Sequence, residues 1–112
     1  MGIRELRKES EKWQTRLGLK EWDIRLVWGI ASDQPDYWSG EIDHGVDANS
    51  WWQAEECRAI ISIDKECADP LGTLVHELVH IRFEGHHAPD KRRYDPLYER
   101  AINATVAALL GY

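Results

Sequence analysis

The tripeptide Asp-Pro-Leu occurs twice, at Asp69-Pro70-Leu71 and at Asp95-Pro96-Leu97. Asp is a strong N-cap. Pro suits the first helical position, where its missing N–H would have had no partner in any case. Each triplet therefore predicts the start of a helix. The first helix is expected to reach about Glu84 and stop at Gly85, and the second to run from Pro96 to about Leu110. Two helices set this closely in sequence need an apolar surface to pack on, and the upstream half has to supply it.

That half contains one helix and several strand candidates. In residues 3–17, Ile3, Leu6, Trp13 and Leu17 share a helical face, Arg, Lys and Glu fill the other, and Gly18 is a C-terminal stop. The period then changes to two. Trp22, Ile24, Leu26 and Trp28 point one way and Asp23 and Arg25 the other, which predicts a strand with one buried face. Asn49 to Ala54, with Trp51 and Trp52, is a second extended candidate, and the β-branched run Ala59–Ile63 is a third. Residues 31–49 are polar, rich in Gly and Asp, and read mostly as loop. The predicted class is α+β: an N-terminal helix, a small, mostly antiparallel sheet of about three strands, and two C-terminal helices. With 112 residues and no repeat, low-complexity segment or linker, a single domain over residues 1–112 is expected.

Composition narrows the partners. The net charge is -6 and no run of Lys and Arg stands out, which disfavours a nucleic-acid partner. No apolar signal segment opens the chain and no apolar run is long enough to span a bilayer, so a cytoplasmic protein without a membrane partner is expected. Cys57 and Cys67 fit neither C-x-x-C nor a zinc-ribbon spacing. In a reducing compartment they read as packing residues or unengaged thiols. Six tryptophans are many for this length, and some of them belong in a core while others suit the wall of a surface groove.

Chemistry concentrates in the stretch TLVHELVHIRFEGHH, residues 73–87, which holds four of the five histidines. His76 and His80 are one helical turn apart, so both rings share a face at a separation that one metal ion can bridge. Glu77 lies about 100° further round the helix, where it can reach a water on the metal without binding the metal itself. H-E-x-x-H is the pattern of the zinc proteases for this reason. Leu71, Leu74, Val75 and Leu78 fall on one side of this helix, and Thr73, His76, Glu77, His80 and Glu84 on the opposite side. The plain alternative is an amphipathic helix whose solvent face happens to spell the motif. The well-marked helix, its stripe and a candidate third ligand favour metal.

Catalytic zinc needs a third protein ligand. Glu99 follows His80 by nineteen residues, in the first turn of the last helix, and shares a face with Ile102, Val106 and Leu110. A carboxylate on an apolar face is costly without a partner, and a zinc ion would be one. The last helix is nearly uncharged beyond Arg100, which predicts burial on most sides. The competing ligand is His86, six residues after His80. This three-histidine spacing is that of the metzincins, but Phe83 stands where they carry glycine.

HELVH, followed by a helix reading E-x-x-x-N with a small apolar tail, resembles the minimal gluzincin-type metallopeptidases. The nearest of these are the ImmA/IrrE-like peptidases and small phage or prophage metallopeptidases. The segment LGLKEWDIRLVW is similar to the approach to the family's first strand. The resemblance follows the order of elements through most of the chain and is specific over Thr73–His80 and Tyr98–Leu110. Asn103 stands one place later than in the ImmA-like pattern, and the usual proline after the tail is absent. The resemblance implies a zincin-like core in which His76, His80 and Glu99 hold Zn²⁺, Glu77 is the catalytic base, and a peptide or protein is the substrate. Tyr94, His86, His87 and Tyr98 are candidate oxyanion donors, and Trp51 and Trp52 candidate groove walls. The rival readings are a zinc endoribonuclease using three histidines, a non-catalytic zinc-binding or protein-interaction domain on the same fold, and the DNA-associated SprT-like class. That last class commonly carries ribbon cysteines that are missing here.

Overall fold

The computed structural model describes residues 2–28, 48–64, 66–84 and 96–111, without the side chains of Asn49, Trp51 and Pro96. The expected loop at 31–47, the stop at Gly85, the cap at Asp95, and His86, His87 and Tyr94 lie outside the described residues. Within them the chain runs α1 (Ile3–Arg16), β1 (Asp23–Trp28), β2 (Ala48–Gln53), β3 (Arg58–Ile63), α2 (Pro70–Glu84) and α3 (Pro96–Leu110). The class is α+β, and each element falls within one residue of its expected bounds.

Local chemistry accounts for the boundaries. Helix α1 ends at Gly18 (φ +73°), where Leu19 N–H donates to Gln14 O (2.7 Å) and Gly18 N–H to Thr15 O (3.2 Å), the paired bonds of a Schellman end. The Gln14 amide then donates to the carbonyls of Leu19 and Trp22, aiming the chain into β1. Asp69 caps α2: its Oδ1 accepts the Gly72 N–H at 3.0 Å, and a Cβ on Gly72 would run into that carboxylate. Asp69→Ala is expected to lower stability by about 1 kcal/mol. A chemical denaturation curve would show this as a lower midpoint at unchanged slope.

The sheet corrects one expectation. It is mixed, in the order β1-β3-β2, with β1 and β3 parallel and β2 and β3 antiparallel. A single turn of 3-10 helix, Ala54–Glu56, closed by Cys57 in the left-handed region (φ 50°), folds β3 back along β2. The other edge of β3 then takes β1 in the same direction. Side-chain alternation reveals which face of a strand is buried but not its neighbour or direction, so a mostly antiparallel sheet was the wrong inference.

The register aligns Ile24, Leu26 and Trp28 of β1 with Ala59, Ile61 and Ile63 of β3, and with Ala48, Ser50 and Trp52 of β2, on one face. Helix α2 packs against β2, β3, α1 and α3. It buries Leu74, Val75, Leu78, Val79 and Ile81, a wider apolar surface than one stripe, because it is flanked on several sides. Leu6 and Trp13 of α1 and Ile102 and Val106 of α3 complete the core. Trp52 is buried in this core (7% exposed), so it does not wall a surface groove. Helix α3 is not buried on most sides. Ile102 and Val106 face inward, but Ala101, Ala104, Leu97 and Leu109 are exposed. Alanines tolerate water, so a helix without charges can still lie on the surface. No helix among the described residues is long and apolar enough to cross a membrane.

Candidate metal centre

The seam between α2 and α3 carries the polar side chains. His76, His80 and Glu84 recur every fourth residue and stack along one stripe of α2, and Glu99 and Asn103 repeat that spacing on α3. His76 Nε2 lies 3.2 Å from Glu99 Oε2, His80 Nε2 lies 2.9 Å from Glu99 Oε1, and the two Nε2 atoms are 3.1 Å apart. The two rings are tilted at 59° with centroids 4.8 Å apart. His76, His80 and Glu99 are thus brought together as a group that could hold a metal ion. His86, the competing ligand, lies outside the described residues.

The other nitrogen of each ring shows what the convergence means. His76 Nδ1 is 3.0 Å from Asn103 Oδ1, and His80 Nδ1 is 2.5 Å from Glu84 Oε2. Both partners are acceptors, so each Nδ1 carries the proton and donates it. In the neutral form of each ring Nε2 is then the atom left to accept, and one cation placed between the two Nε2 atoms and the Glu99 carboxylate would satisfy all three. The separations of 2.9–3.2 Å fit one. Ligands about 2.0–2.1 Å from a tetrahedral ion are roughly 3.3 Å from each other.

The site is not sealed. The side chains of His80, His76 and Glu99 are 15%, 23% and 25% exposed, which leaves an approach from solvent. Glu77 is half-buried next to His76 in sequence and is not one of the converging three. Among the described residues no hydrogen bond or ion pair engages its carboxylate.

Tyr98 stands beside the three, its ring centroid 5.7 Å from that of His80. Burial, then the charge of Glu84 and a hydrogen bond to it, then the charge of Glu99, push the phenol up to about 12. It therefore keeps its proton throughout the neutral range. Of the four candidate oxyanion donors only Tyr98 is described.

The sequence reading set Glu84 on the polar face of α2 and Asn103 in the E-x-x-x-N pattern, but it assigned neither as a partner of a histidine ring. Both were detectable, since each lies four residues from a ligand on the same helix, a spacing at which side chains meet. Comparison with protein-family models, with curated proteins and with solved structures finds no match.

Proposed function

We propose that this chain is a zinc-dependent metallopeptidase of the gluzincin kind, with His76, His80 and Glu99 as the zinc ligands and Glu77 as general base. One observation carries the reading: the Nε2 atoms of two histidines converge with a carboxylate, and next in sequence to the first histidine stands Glu77, whose carboxylate no hydrogen bond or ion pair engages among the described residues. Two imidazoles and a carboxylate suit zinc. Structural zinc is usually enclosed by four protein ligands, and three partly exposed ligands converge among the described residues, which favours the open, catalytic type over a non-catalytic zinc domain.

When bound, zinc supplies Lewis acidity that lowers the pKa of a coordinated water towards neutrality. The chain's own residues do the rest. Asn103 and Glu84 hold the rings with Nε2 facing inward. Glu77 takes the proton of the attacking water and gives it to the leaving amine. A peptide substrate in extended form would pair with a sheet edge, and β1 and β2 are the edge strands among the described residues.

The test is cleavage of an unstructured polypeptide by the zinc-loaded protein. Activity should stop when a chelator removes the metal and return when zinc is restored. One bound zinc per chain with no cleavage across a peptide library would instead establish the non-catalytic domain. Cleavage of RNA alone would favour the three-histidine nuclease, whose third ligand is His86.

A further inference from the structure

The two ligand histidines are held differently. The bond from His76 to Asn103 spans the seam from α2 to α3, ends on a neutral amide oxygen and measures 3.0 Å. The bond from His80 to Glu84 lies within α2, ends on a carboxylate and measures 2.5 Å. Hydrogen bonds to an ionised acceptor are shorter and roughly twice as strong as neutral ones. Helical spacing of four residues builds the second bond without help from α3. His76 by contrast is oriented only when α3 is docked.

We propose that Glu84 is a positioning residue that makes His80 the tighter of the two imidazole ligands. This rests on the metal-site reading above and adds to it a division of labour between the histidines. The carboxylate fixes the tautomer of His80 and draws on its Nδ1 proton, which pushes electron density onto Nε2 and raises its strength as a donor. Tyr98 lies beside this pair on the facing helix, its ring centroid 5.7 Å from that of His80. The result is a metal site with one ligand ordered in advance on α2 and two whose placement depends on α3.

The experiment measures zinc affinity of the full chain by competition with a chromophoric chelator, in the parent, Glu84→Gln and Asn103→Ala. Glu84→Gln keeps side-chain length, helix propensity and a hydrogen-bond acceptor, and removes only the charge. Zinc binding is expected to weaken about 10- to 100-fold in that variant, and less in Asn103→Ala. A second reading needs no metal. In the zinc-free parent the His80 Nδ1 proton should resonate far downfield, and in Glu84→Gln it should move upfield. If Glu84→Gln binds zinc as tightly as the parent, or if Asn103→Ala weakens binding more, the inference falls and the metal site stands. If the parent binds no zinc, the metal-site reading falls and takes this inference with it.

Discussion

Glu77→Gln is expected to retain zinc near one per chain while peptidase turnover falls by about 10²- to 10⁴-fold, the contribution of a positioned general base. The prediction is sharp because Glu77 is separate from the converging ligands. His76, His80 and Glu99 come together without it, and among the described residues its carboxylate engages nothing. Removing the charge therefore breaks no ion pair among the described residues, and glutamine is a good helix former. Zinc content and initial rate should be measured on the same preparation. Undiminished turnover would remove Glu77 from the mechanism. Loss of zinc would place its carboxylate among the ligands. The loss should fall on kcat rather than on KM, because the proton transfer belongs to the transition state and not to substrate binding.

The parts of this site that could be read from the sequence are those governed by local rules. Asp69-Pro70 and Asp95-Pro96 mark helix starts because capping is settled within one turn, and His76 and His80 share a face because the helical period requires it. Glu99 could be singled out as a charge among Ile102, Val106 and Leu110. The third dimension was harder to read. The alternation in β1 identified its buried face and the β-branched run marked β3, yet nothing in either strand encodes that β1 runs parallel to β3. Few charges in α3 suggested deep burial, whereas alanines at 101 and 104 sit in solvent. Trp52 could have served a groove or the core, and only the register with Ala59 assigns it to the core. The Nδ1 partners occupy a middle ground. Their i+4 spacing is visible, and Glu84 follows from it directly, but His76 finds Asn103 only where the two helices meet.

Glu99→Ala should lose the metal, and the loss tests the whole arrangement from the α3 side. Structural zinc sites bind with on the order of 10–16 kcal/mol, so one ligand of four is worth about 3 kcal/mol. At 1.4 kcal/mol per tenfold, affinity should fall by about a hundredfold or more. The fold should survive, since Ile102 and Val106 still anchor α3 in the core. The clearest measurement is thermal unfolding with and without zinc. At a concentration 100 times its dissociation constant, zinc should stabilise the parent by about 2.7 kcal/mol, roughly 10 °C for a chain of this length. The variant at the same zinc concentration should gain almost nothing while its zinc-free midpoint stays close to the parent's. A variant that keeps both its zinc and its thermal gain would exclude Glu99 as a ligand and turn attention to His86. A variant that unfolds without zinc would show that Glu99 serves the packing of α3 first and the metal second.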